Sequence, residues 1–384
     1  MKKQALAIAI ASALVAPSAF AAQDTSGMHY TSASEGFYAS LRARLDFGSG
    51  DTTANIDENS SRIGIRGTND LGGGLEGFYQ WEGGVRIDAG GHLANDGDDD
   101  GTSAWRIRLG NVGLRGNFGE VVIGSFWPND YNWTFGSTDV ANNYSGYFIY
   151  NDDRVGRTSK AIQYSTPDLN GFQGAFRVQT EGSDADNDID AWNLAANYAV
   201  QGFSVGGAYH VRPDSLTKYG ADNFGTDSGE KDDANSWTFK LGYSQDNWYV
   251  NGWYGEDNTS DAGYNAGVHG ITAAPGTPGT PATDTAAEVA ATPARVARAA
   301  AAGTKAEDTT FFSIGGGVSV DKVNLYAAYD QRENSSKQED SYGVIGAQYN
   351  LGSNSRVWVE YFSQDLDTNT DADDIVSLGL RHDF

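Results

Sequence analysis

From Phe37 onward, apolar and polar residues alternate with a period of two. Phe37, Ala39, Leu41, Ala43, Leu45 and Phe47 occupy one set of positions, and Tyr38, Ser40, Arg42, Arg44 and Asp46 the other. Successive side chains of an extended strand point to opposite faces, so one face is apolar and the other is charged. Phe203 to His210, Trp237 to Tyr243, Val323 to Tyr329 and Val357 to Tyr361 repeat the scheme. The last stretch sets Val376, Leu378, Leu380 and Phe384 against Ser377, Gly379, Arg381 and Asp383. These are short strands, and the chain reads as all-β.

The connections between the strands are of two kinds, and they alternate. Short turns fall at Asn69–Gly74, Asn117–Glu120, Thr166–Gly171, Val200–Gly202, Ser244–Asn247, Val320–Lys322 and Asn350–Ser355. Longer polar segments lie at about 49–58, 89–103, 128–156, 181–190, 213–233, 256–309, 332–341 and 366–373. Seven turns and eight loops join sixteen strands. Short turns at one end and long loops at the other are the layout of an outer-membrane barrel with both termini in the periplasm. Pro128, Pro167 and Pro213 sit at strand ends, where no ladder hydrogen bond is lost. Segment 256–309 is rich in Pro, Ala and Thr and is expected to be one long external loop.

The beginning of the chain adds an address. Lys2 and Lys3, an apolar run from Ala5 to Val15 and the Ala19-Phe20-Ala21 cleavage pattern read as a signal peptide over residues 1–21. The barrel would then occupy 22–384. No later stretch reaches the ~18 apolar residues a membrane helix needs. A membrane-spanning reading therefore requires a closed barrel, because lipid offers no partner to an unpaired backbone group.

Composition narrows the function classes. The chain has no cysteine, which removes disulfides and thiolate metal sites. Its net charge of −25 argues against nucleic acid as a partner. There is no Gly-x-Ser-x-Gly elbow and no phosphate-binding glycine loop, so neither an enzyme nor a cofactor is expected. Asp96, Asp98 and Asp100 open a stretch like a calcium loop, but its twelfth position is Ile107 instead of the bidentate Glu. A solvated acidic surface is the preferred reading there, with weak calcium binding or bridging to lipopolysaccharide as the alternative. A charged inner face on sixteen strands reads as a wet lumen with lipid outside.

Four stretches, in order, resemble the Gram-negative general porins. They are Ser61–Gly67 with Asn69–Leu75, Arg108–Gly119, Lys160–Phe172 and Leu378–Phe384. The resemblance implies a sixteen-stranded antiparallel transmembrane barrel that assembles as a homotrimer in the outer membrane. The loop of about 128–156 would fold inward and constrict the pore. Such channels pass ions and small hydrophilic solutes without a cofactor.

Alternation places Arg42, Arg44, Arg62, Arg66 and Arg157 on the inner wall, and the resemblance carries Arg62, Arg108 and Arg157 onto the family's basic cluster. The phase slips near Gly110, as at a bulge. Opposing acids would come from Asp130, Asp139, Asp152 or Asp153, and spacing does not choose among them. Some of the arginines could instead brace the wall by pairing with Glu76 and Glu82. Gly124-Ser125 stands where related porins often have Gly-Arg, so selectivity is not carried over. A sugar- or anion-selective channel, kept open by Tyr131, Trp133, Tyr144, Tyr147 and Tyr150, is the second reading, and a receptor role for the long loop the third. Phe311, Phe312, Trp248 and Tyr249 are expected in the interfacial aromatic girdles.

Overall fold

The structure is a computed structural model that describes residues 36–48, 54–58, 60–87, 105–143, 157–180, 189, 191–212, 234–257, 309–334, 339–366 and 373–384. Residues 1–21, Asp96, Asp98, Asp100, Asp152, Asp153 and nearly all of 256–309 lie outside these. The strands are β1 (Gly36–Gly48), β2 (Asn55–Glu58), β3 (Arg62–Gly72), β4 (Leu75–Val85), β5 (Trp105–Gly116), β6 (Gly119–Phe126), β7 (Thr158–Ser165), β8 (Phe172–Gln179) and β9 (Ala191–Val200). They continue as β10 (Phe203–Arg212), β11 (Ala234–Gln245), β12 (Trp248–Asp257), β13 (Thr309–Val320), β14 (Val323–Asn334), β15 (Glu339–Asn350), β16 (Ser355–Leu366) and β17 (Asp373–Asp383).

Apart from β2 and β3, which both pair with β1, each strand pairs antiparallel with its sequence neighbours, and β17 returns to pair with β1 from Ser40↔Asp383 to Gly48↔Ile375. The last residue completes the seam. Phe384 N donates to Ala39 O at 3.0 Å, and Ala39 N donates to Phe384 O at 2.6 Å. Closure leaves no edge, which is what the membrane demands.

The seventeen segments form sixteen staves, because β2 and β3 are two pieces of one. β2 pairs with Ala43–Asp46 and β3 with Gly36–Ser40 of the same β1. Segment 55–58, expected within a loop, is therefore strand. At the break Ser61 stands in for the ladder: its hydroxyl accepts from Arg42 N at 2.9 Å and donates to Arg42 O at 3.1 Å.

Burial is inverted relative to a water-soluble sheet protein. Along β16, Val357, Val359 and Tyr361 are outward and exposed, while Trp358, Glu360 and Phe362 between them are buried. On β17, Leu378 is 46% exposed and Ser377 is fully buried. Aromatic rings collect at both ends of the outer face. Phe203, Tyr243 and Trp248 stack near the short turns, with centroids 4.5 and 5.4 Å apart. Trp237 and Tyr254 pair near the long loops at 5.6 Å. Amphipathic rings at these two heights suit the membrane interfaces. Phe312 and Trp248 belong to these outer bands. Phe311 and Tyr249, expected with them, do not, because adjacent strand residues take opposite faces. Phe311 is buried inside, and Tyr249 lies over Gly317 on the lumen side.

Candidate functional site: a loop-narrowed lumen

Chain 127–143 leaves the end of β6 and crosses the inside of the barrel. Its helix α1 (Asn129–Trp133) and a 3-10 turn (Phe135–Ser137) lie against the inner wall. Three groups of hydrogen bonds hold it to β8–β16, beside those of Asn129 to Gln163 and Ser165 of β7. Asp130, itself buried, takes two hydrogen bonds from Arg177 of β8, at 2.8 and 3.2 Å, and one from Asn193 of β9 at 3.1 Å. Burial pushes the Asp130 carboxyl up, and the Arg177 guanidinium opposes that rise.

Further along, Trp253 Nε1 and Ser313 Oγ both donate to Thr138 Oγ1, at 2.8 and 2.6 Å. At the far side, Asn142 N and Asn143 N donate to the two oxygens of Glu360 of β16, at 2.5 and 3.0 Å. Asn142 Nδ2 also reaches Tyr326 OH and Gln348 Oε1.

An apolar cluster fills the space behind the loop. Tyr131 and Phe135 pack with Trp253, Phe311, Tyr342, Val344, Phe362 and Ile375. Each buried ring contributes roughly 1.5–3 kcal/mol. The loop is thus a packed element of the lumen, bound to the half of the wall built from β8 to β16.

The arginines occupy the other half. Arg108 is the extra residue of a bulge, since Leu109 pairs with Glu82 and Ile107 with Gly83. The phase slip near Gly110 therefore belongs to Arg108 itself, and the bulge turns its side chain inward. Arg108 Nε donates to Glu82 at 2.7 Å, while Arg62 reaches the same carboxylate at only 3.9 Å. Tyr38 OH also donates to Glu82, at 3.0 Å.

Arg44 is braced between Asp46 and Asp57, at 2.7 Å from each. Arg66 sits over the Tyr38 ring and Arg157 over the Trp127 ring, both at 5.3 Å. Glu76, on the same wall nearer the turns, pairs with Arg115. Of the loop acids, Asp130 faces Arg177 in the wall behind it, and Asp139 accepts from Tyr131 OH at 2.6 Å.

Gly124 has φ +126, and a Cβ there would lie 2.2 Å from Gly110 O, so the backbone itself fills that place. Ser125 beside it accepts through its carbonyl from Asn111 Nδ2 at 2.9 Å and carries no charge into the lumen.

Sequence reasoning missed Arg177, Glu360, Arg356 and Arg381. The alternation already put all four on inner faces. The long-range partners of Arg177 and Glu360 carried no signal, because they lie 47 and 218 residues away.

A closed, lipid-facing barrel with a polar lumen narrowed by its own loop defines an outer-membrane channel. The chain belongs to the Gram-negative porin family, whose sequence profile matches residues 37–384. It is similar to Outer membrane protein S2 of Salmonella typhi, 24% identical over the whole of both chains. It is also similar to a Monosaccharide porin of a Halomonas species, 28% identical over 60% of this chain and 64% of that one. Among solved structures, the fold resembles Salmonella typhi OmpF in complex with daunomycin, with TM-score 0.65 and 18% identity over 91% of this chain and 97% of that one. The anion-selective porin from Comamonas acidovorans gives TM-score 0.62 and 17% identity, covering 91% and 98%. The protein is a passive diffusion channel of the outer membrane, open to small hydrophilic solutes.

Proposed function

We propose that the channel is non-selective among small polar solutes, and that its constriction lies between the loop 128–143 and the arginine wall facing it. The observation that carries this is the loop's three-point docking on β8–β16, which leaves Arg42, Arg62, Arg66 and Arg108 on the uncovered wall. Among the described loop acids, Asp139, which accepts from Tyr131 OH, is the candidate to oppose them. The fixed charges would orient polar solutes in a narrow low-dielectric passage and disfavour apolar ones. Single-channel conductance in planar bilayers, with liposome swelling for a series of sugars, tests it. Swelling rates should fall smoothly with solute size. Saturable current block by one sugar would overturn it in favour of a selective channel.

The similarity to a monosaccharide porin keeps sugar selectivity as the alternative. Against it, Tyr131 and Trp133 of the loop are buried, as are Tyr38, Tyr326 and Trp358 on the wall, so these rings are poorly placed to stack on a sugar; Tyr144, Tyr147 and Tyr150 lie outside the described residues. The protein is expected to assemble as a homotrimer in contact with lipopolysaccharide, after removal of residues 1–21. No hydrolase activity is expected of the purified protein. Deleting 270–303 should leave conductance unchanged if that segment is an external loop. A large change in conductance would contradict this.

A further inference from the structure

Behind α1 a row of alanines crosses the wall. Ala175 of β8, Ala195 of β9 and Ala208 of β10 stand directly opposite one another on the lumen face. The rows on either side of them are polar. Arg177, Asn193 and His210 form one, and Gln173 and Asn197 the other, with Gly206 completing it. Alanines on a wet lumen would be wetted, yet Ala195 is 1% exposed and Ala175 is buried as well. Trp133, the last residue of α1, packs with all three.

The fit leaves no slack. The Trp133 carbonyl rests on Gly206, where an added Cβ would lie 2.4 Å from that oxygen. The clash would be with backbone, which cannot rotate aside as a side chain can. Further along the loop, Thr138 lies on Gly315 of β13, where a Cβ would come within 3.2 Å of its Cα, Cβ and carbonyl oxygen. The loop therefore meets the wall's own backbone at both glycines.

We propose that Ala175, Ala195, Ala208 and Gly206 form a socket for Trp133, and that its depth sets how far the loop stands out into the lumen and so the largest solute the channel passes. The hydrogen bonds of Asp130 and Thr138 draw the loop down onto the wall. Side-chain volume at the socket is the stop. A close-packed contact transmits added volume as displacement, and the closed sheet lies behind it. Larger residues there lift α1 away from the wall, into the passage. These are positioning residues, and they act on the solute only through the loop.

This rests on the constriction lying between the loop and the arginine wall, and two measurements separate the failure of each. In planar bilayers, full-length Gly206→Ala and Ala195→Leu should conduct less than wild type by roughly a third or more, and in liposome swelling they should slow a disaccharide more than a pentose. Gly343→Ala, where a Cβ meets nothing within 4 Å, should match wild type in both assays. Ala195→Leu combined with Trp133→Leu keeps the summed volume near that of the native pair and should restore both conductance and the ratio of sugar rates. A merely weakened loop would be made worse by the second substitution. Independently of conduction, the two substitutions should be non-additive in urea unfolding, the double variant losing less stability than the singles summed. Unchanged conductance and sugar ratio in folded Gly206→Ala and Ala195→Leu would overturn the socket. A double variant that conducts no better than Ala195→Leu would overturn it too. Absent conductance, or saturable block of wild type by one sugar, with the coupling between positions 195 and 133 intact, would sink the channel reading alone. Should Ala195→Leu fail to fold, Ala208→Val with and without Trp133→Leu carries both measurements.

Discussion

Five lumen-side rings each lie across a glycine on the neighbouring strand. Tyr38 is paired with Gly64, Phe78 with Gly113, Tyr249 with Gly317, Tyr326 with Gly346 and Trp358 with Gly379. A Cβ at Gly379 would lie 1.9 Å from Trp358 Cζ2, and one at Gly346 would lie 2.3 Å from Tyr326 Cε2. The missing side chain lets the ring lie along the wall, so the lumen stays open beside a large residue. Gly379→Ala should therefore push Trp358 inward, lower single-channel conductance and cost about 1–3 kcal/mol in unfolding by overpacking. A second residue-scale prediction concerns Asp130. Asp130→Ala leaves Arg177 buried without its carboxylate, which should cost roughly 3–5 kcal/mol. Current noise should rise as the loop loosens, and Asp130→Leu combined with Arg177→Leu should recover part of the stability. Equal stability of the single and double variants in urea unfolding would contradict the pairing.

Strand positions and all seven short turns were legible from the alternation, because a strand that separates lipid from water must keep its period for its whole length. Two departures from that period were only partly legible. The bulge at Arg108 showed as a phase slip, whereas the break between β2 and β3 showed as nothing, because Ser61 is an ordinary residue until it bridges to Arg42. The inward loop was placed by resemblance, and its docking partners came from strands far along the chain. The closing strand ends in seam bonds made by its last residue. Deleting Phe384 removes two backbone hydrogen bonds to Ala39 and an exposed outer aromatic. The barrel should then unfold at a lower temperature, read by its mobility shift on heated gels. An unchanged transition would show that the pairing of Ser40–Gly48 with β17 holds the seam without it.

At the scale of the molecule, the formal charge of −25 opposes the arginine wall. The acids concentrate in the longer segments, including Asp96–Asp100, Asp184–Asp190 and Asp367–Asp374. Their summed field should draw cations to the mouth and give a modest cation preference in a salt-gradient reversal potential. Because the screening length falls from about 10 Å at 0.1 M to 3 Å at 1 M, the preference should shrink with salt. A clear anion preference at 0.1 M would mean that the arginine wall, and not the acidic surface, sets the selectivity.

Alternation, turn chemistry and the absence of long apolar runs determined the barrel, its sixteen staves and the face that most strand residues take, because these follow from local geometry and the choice between lipid and water. Which inner residues meet was decided only by closure and by the loop's fold. Arg44 became a brace and Asp130 a buried anchor, while Arg42 and Arg62 were left facing the lumen with charge to spare. Those outcomes depend on pairs such as Arg42 and Arg381, more than three hundred residues apart in the chain and adjacent only once the seam has closed.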